Sequence, residues 1–91
     1  MKTRIRTFDF FADGGHGWLR VKRVELEQLN ILNDISVYSY QNDKYVFLEE
    51  DCDASIFIAA IEEHGAKVKF NNHYSEGDSP IRNYDHFRLE V

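Results

Sequence analysis

The sequence predicts an α+β fold. It is expected as a single small domain over residues 1–91, with a mainly antiparallel sheet in the order β-β-α-β-β-α-β-β and two helices on one face. Three observations predict it. Short runs with period-two alternation outnumber helical segments. Turn-forming residues separate those runs at hairpin spacing. One stretch, residues 53–64, instead carries apolar residues at helical spacing.

The elements follow in order. Ile5, Thr7, Asp9 and Phe11 alternate with Arg4, Arg6, Phe8 and Phe10, which is the pattern of a β-strand. Asp13-Gly14-Gly15-His16-Gly17 must then turn, because three glycines in four positions break any regular element. Trp18 to Val21 forms a short strand, with Trp18 and Arg20 on one face and Leu19 and Val21 on the other. Lys22 to Leu29 reads as a helix: Leu26 and Leu29 share a face, and Glu25 and Glu27 suit solvent. Asn30 is its stop, since asparagine tolerates the left-handed conformation. Asn33-Asp34 marks another turn.

Val37 to Tyr40 and Tyr45 to Leu48 are β-rich runs joined by Gln41-Asn42-Asp43-Lys44, a hairpin. Tyr38 and Tyr40 are expected on one face of its first strand, and Tyr45 and Phe47 on one face of its second. The helix from about Asp53 to His64 has Asp51 or Asp53 to accept from the N–H groups of its first turn. Ala54, Phe57, Ile58 and Ile61 form its apolar stripe, and Gly65 ends it. Val68 and Phe70 alternate with Lys67 and Lys69 in a further strand. Ser75 to Pro80 is a polar loop. Asp85, Phe87, Leu89 and Val91 alternate with Tyr84, His86, Arg88 and Glu90 in a last strand.

Ninety-one residues hold one core and not two. A hydrophobic fraction of 43% with a single proline belongs to a folded chain rather than a disordered one. The net charge of −5 argues against a general nucleic-acid binder, which must neutralise phosphates with Lys/Arg. The charge is uneven: residues 1–24 carry six Lys/Arg against two Asp/Glu, and the remainder carries five against fourteen. A single cysteine, Cys52, forms no internal disulfide and needs no oxidising compartment. No apolar run is long enough to span a bilayer, and no signal-like core follows the basic first residues. The expected location is the cytoplasm, with no membrane partner.

Glu49, Glu50, Asp51 and Asp53 put four carboxylates within five positions, directly after the aromatic stretch Tyr38 to Phe47. Helix capping explains Asp51 and Asp53 better than Glu49 and Glu50. The sharper reading is an acidic face, extended by Asp43, Glu62 and Glu63, that engages a basic surface on a partner protein. The spaced pattern of a calcium loop is missing. The glycine loop lacks a Walker ending and the GxGxxG spacing, so it reads as a tight connection, with Trp18 a core anchor or an interface hot spot. His16, His64, His73 and His86 are scattered without metal-binding spacing, so no metal or cofactor is expected. Carboxylates around Cys52 raise its pKa and blunt it as a nucleophile. Tyr38, Tyr40, Tyr45 and Phe47 are similar to base-stacking platforms, but Lys44 is the hairpin's only cation. Arg4, Arg6, Arg20, Lys22 and Arg23, with Lys2, are the residues that could contact phosphates.

The strings ADGGHGWLRV, VYSYQNDKYVFLEEDCDASIF and SPIRNYDHFRL resemble a group of small proteins encoded by bacteria, phages and plasmids. GHGWL and YVFLEEDCD are the most specific parts, and the resemblance covers nearly the whole chain. The group has no established activity, so no catalytic residues carry over. The group's helix after GWLRV often begins with proline, where this chain has Lys22. The resemblance implies a mobile-element setting in a bacterial or host cytoplasm, where small acidic proteins act as inhibitors of host defence of the anti-CRISPR or anti-restriction type.

The leading expectation is therefore a binding module and not an enzyme. Glu49, Glu50, Asp51 and Asp53, helped by Asp43, Glu62 and Glu63, would supply charge, and Trp18, Tyr38 and Tyr40 apolar anchors. The alternative is an accessory domain with a nucleic-acid ligand at the basic N-terminal end. A third is a hydrolase or metal-dependent enzyme, which would need a pocket joining Cys52 or His16 to another histidine. The surplus of aromatics in a small domain also points to a homodimer.

Overall fold

The computed structural model describes residues 3–89. Lys2 of the basic end, and Glu90 and Val91 of the predicted last strand, lie outside them. Among the described residues six strands form one sheet: β1 (Arg4–Ala12), β2 (Gly17–Lys22), β3 (Tyr40–Asn42), β4 (Tyr45–Glu49), β5 (Ala66–Tyr74) and β6 (Asp85–His86). Their spatial order is β5-β1-β2-β4-β3-β6. Two helices, α1 (Arg23–Gln28) and α2 (Ala54–Glu63), complete an α+β fold with the predicted β-β-α-β-β-α-β-β succession.

Four neighbouring pairs are antiparallel, and β1 with β5 is parallel from Arg4↔Ala66 to Ala12↔Tyr74. The parallel pair follows from α2. A helical crossover returns the chain in the direction it left, so β5 runs with β4 and hence with β1. The sheet is therefore mixed, antiparallel except at this edge.

The pleat sorts side chains as the alternation predicts. Leu19, Val21, Val46 and Leu48 join Phe8 and Phe10 on one face, where Leu26 of α1 and Ala54, Phe57 and Ile61 of α2 cover them. Both helices thus lie on the same face. Phe57 meets Phe8 edge-on at 5.1 Å. Each large apolar side chain buried in this way contributes roughly 1.5–3 kcal/mol. The opposite face carries Trp18, Phe47 and Ile81, with Phe11, Tyr40, Tyr45 and Tyr84 around them. A 3-10 turn at Pro80–Asn83 covers it; Ser79 caps that turn by accepting from the Ile81 N–H. Asn30 and Gly65 end the two helices with positive φ, 59° and 88°.

Three local expectations are corrected. The first hairpin strand is Tyr40–Asn42 rather than Val37–Tyr40, and the turn is only Asp43-Lys44, with Asp43 at φ 40°. Val37 and Tyr38 belong to a turn, so Tyr38 and Tyr40 do not share a strand face. The last strand is two residues long, because Phe87 turns into the helix-side core. Finally, the Asp53 side chain makes no capping bond to α2. Three donors from Ser36 and Ser39 take its carboxylate instead.

Candidate functional site

The glycine loop after β1 and the acidic turn after β4 come together because β2 pairs with β4, setting Trp18 opposite Glu49. Asp13 builds the loop. Its Oδ1 accepts the N–H groups of Gly15 at 2.9 Å and His16 at 3.0 Å. Its Oδ2 accepts the Ser79 N–H at 2.9 Å, and Arg82 donates to both oxygens at 2.7 and 2.8 Å. Arg82 above all, then the Ser79, Gly15 and His16 N–H groups, hold this carboxyl far below the usual carboxylate range. The same pairing raises the Arg82 guanidinium pKa above its ordinary value. Gly17 is required by space: a Cβ there would lie 2.5 Å from Phe10 Cζ and 3.2 Å from Glu50 Cδ.

The acidic turn is divided between inside and outside. Glu49, 7% exposed, accepts the N–H groups of Asp51 at 2.9 Å and Cys52 at 3.0 Å through Oε2. Its Oε1 stands 3.5 Å from His16 Nδ1. Asp53, 2% exposed, uses Oδ2 to accept from Ser36 N at 3.0 Å, Ser36 Oγ at 2.7 Å and Ser39 Oγ at 2.5 Å. Ser39 Oγ in turn accepts the Glu49 N–H at 2.9 Å. Glu50 and Asp51 are exposed.

Between these parts lies a cavity of about 290 Å³. Trp18, Tyr38, Tyr40 and His86 give it aromatic walls, and His16, Glu49, Asp51, Cys52 and Arg82 complete it. Tyr40 stacks on His86 at 4.7 Å and receives Trp18 edge-on at 6.1 Å. The Arg82 guanidinium sits 5.4 Å from the Trp18 ring centroid. The Trp18 indole N–H is buried and meets no acceptor among the described residues. Burial pushes the Cys52 thiol pKa up, and the Glu49, Asp53 and Asp51 carboxylates add to it. The thiol is thus held protonated, as its acidic neighbours in sequence imply.

The structure gathers only part of the predicted set. Glu49, Glu50 and Asp51 cluster, and Tyr38, 66% exposed, and Tyr40 stand beside them. Asp53 points inward to the serines. Asp43 sits at the hairpin tip, the far end of β4, roughly 17 Å along the strand. Glu62 and Glu63 are at the far end of α2, roughly 15 Å from its start. These three do not extend the acidic face. Trp18 is 1% exposed and is a core anchor, so it presents no ring to a flat partner surface.

The basic residues are mostly engaged within the fold. Arg6 pairs with Glu25 at 2.7 Å and Arg20 with Asp9 at 2.6 Å. Buried Arg23 donates to Gln41 Oε1, Arg88 O and Leu89 O. Arg4 and Lys22 are exposed. Arg6, Arg20 and Lys22 do line one groove, together with Asp9 and Glu25.

Sequence reasoning missed Arg82, His86 and the meeting of His16 with Glu49. Asp-Gly-Gly-His is the local signal of a side-chain-closed turn. Nothing local links Asp13 to Arg82, 69 positions away. The pocket that the enzyme reading requires, joining Cys52 or His16 to another histidine, is present: His16, Cys52 and His86 line the same cavity. No helix among the described residues is long and apolar enough to cross a membrane. No protein-family model, curated protein or solved structure matches the chain, so the site is interpreted from its own chemistry.

Proposed function

We propose that the chain is a non-enzymatic protein-binding module that takes a basic side chain of a partner into the aromatic cavity, against the acidic turn. One observation supports this above the others: exposed Tyr38 and the Asp51 carboxylate border the same cavity, and Glu50 lies next to it in the chain. A Lys or Arg side chain entering there would meet ring faces and carboxylates together. Cation–π contact contributes about 0.5–1 kcal/mol at an exposed site and more when water is excluded. The carboxylates would speed encounter and give the complex its salt dependence. Inhibition of a defence protein by a mobile-element product is one setting for such a module, and it comes from the resemblance alone.

The test is a titration with arrayed Lys- and Arg-rich peptides at two salt concentrations. Tyr38→Ala and the Glu50→Lys/Asp51→Lys pair should each weaken peptide binding several-fold, the charge reversal more at low salt. Unchanged binding in both variants would overturn the proposal. Glu49 is left intact because it holds the turn together.

The alternative, a nucleic-acid ligand at the basic end, rests on Arg6, Arg20 and Lys22 sharing a groove. Asp9 and Glu25 already neutralise two of those three cations. Short RNA and DNA titrations against the Arg20→Ala variant would test it.

A further inference from the structure

We infer that His16, Glu49 and Asp51 form a site for a divalent transition metal of the zinc class, at one corner of the cavity. One ligand atom from each residue lies within 4.8 Å of the others. His16 Nδ1 and Glu49 Oε1 are 3.5 Å apart. Two ligands on a tetrahedral zinc with bonds of about 2.1 Å stand about 3.4 Å apart, so this edge already has the required length. Asp51 is exposed, and its side chain can rotate to close the third position.

Glu49 and the backbone of His16 are held in advance. The His16 backbone is fixed by its N–H bond to Asp13 Oδ1, while the His16 carbonyl accepts the Asp13 N–H at 2.9 Å. Glu49 is fixed through Oε2 by two backbone N–H groups, which leaves Oε1 directed at His16. Part of the ordering that a metal must impose is therefore in place before it binds, and the His16 and Asp51 side chains supply the rest by rotation. An imidazole with two carboxylates suits zinc, cobalt or manganese; magnesium and calcium favour all-oxygen sites with more ligands.

Trp18 lines this cavity, and its buried N–H has no acceptor among the described residues. The inference does not rest on the partner proposal: the metal requires His16, and the basic side chain requires Tyr38.

The test is calorimetric titration of chelator-treated protein with zinc chloride, alongside the visible spectrum with cobalt chloride. One equivalent of zinc should bind, and cobalt should give the intense bands of a four-coordinate ion. His16→Ala and Asp51→Asn, both at exposed positions, should each weaken zinc binding at least tenfold while unfolding like the parent. Cys52→Ser should keep binding and the cobalt bands, and His64→Ala should change nothing. Equal zinc binding in His16→Ala and the parent, or binding lost as much in His64→Ala, would overturn the site. So would failure of the parent to bind zinc at micromolar concentration. Magnesium binding as tight as zinc would overturn the metal class.

Discussion

Replacing Asp53 by alanine tests whether this carboxylate belongs to the fold or to the surface. One oxygen accepts three hydrogen bonds, from Ser36 N, Ser36 Oγ and Ser39 Oγ. Bonds to a charged acceptor contribute about 1.5–3 kcal/mol each, so a simple sum gives roughly 4.5–9 kcal/mol. That sum overstates the loss. The three donors share one oxygen, and Ser36 is only half-buried, so water can replace the carboxylate there. Ser39 is fully buried, and its hydroxyl has no such replacement. The expected loss is about 3 kcal/mol.

For a chain of this length the total stability is about 5–14 kcal/mol, so the variant should fold but melt early. A loss of about 3 kcal/mol lowers the midpoint by roughly 12–24 °C. Thermal and urea unfolding followed by circular dichroism would measure it. Asp53→Asn keeps an acceptor without its charge and should fall between the parent and Asp53→Ala. Glu50→Ala, at an exposed position, should stay within about 0.5 kcal/mol of the parent. If Asp53→Ala unfolds like Glu50→Ala, the internal role of this carboxylate is wrong.

Two further outcomes are expected. Gly17→Ala places a Cβ 2.5 Å from a Phe10 ring that is itself stacked on Phe70 at 4.9 Å; the overpacking should cost about 1–3 kcal/mol in urea unfolding. Asp13 has its native pKa lowered from an ordinary value of 3.8, so its stabilisation is present above that value and is lost as pH falls through and below it. The melting midpoint should therefore drop more steeply below about pH 4 in the parent than in Asp13→Asn, and parallel curves would contradict the Asp13–Arg82 account.

Much of the fold was legible because its signals are local. The Trp18/Arg20 and Leu19/Val21 division follows from the strand pleat and reappears as the two faces of β2. Ala54, Phe57 and Ile61 follow from helical spacing and are buried beneath the sheet. Asn30 and Gly65 were stops by backbone tolerance alone. What failed was decided by partners distant in the chain. Val37 and Tyr38 are β-formers, but Ser36 and Ser39 on either side of them are tied to Asp53, which leaves that stretch a turn. Asp53 had a free helix N-terminus within reach, and three serine donors outcompeted it. The parallel β1/β5 edge depended on which strand a crossover helix reaches, which no single segment encodes. The cavity was the least legible part, since it needs Asp13 beside Arg82 and His16 beside Glu49.

The acidic run is better understood as two jobs than as one charged face. Asp53 and the Oε2 of Glu49 point inward and accept from N–H and hydroxyl donors. Their work is to hold residues 50–52 in a turn and residues 36–39 in a wall. Glu50 and Asp51 are carried outward on that scaffold, and Tyr38 is carried to the rim by the wall. A cluster of four carboxylates is tolerable here because two of them are solvated by directed hydrogen bonds from the protein in place of water. A ligand of the cavity then meets Asp51 from the outer half, and from the inner half only the Glu49 Oε1 that the turn leaves facing His16. A basic side chain and a metal ion would both use Asp51, but only the metal needs the His16 imidazole, and only the side chain needs the Tyr38 ring. Zinc and a lysine-rich peptide should therefore compete for the parent protein, while His16→Ala removes the competition and keeps the peptide.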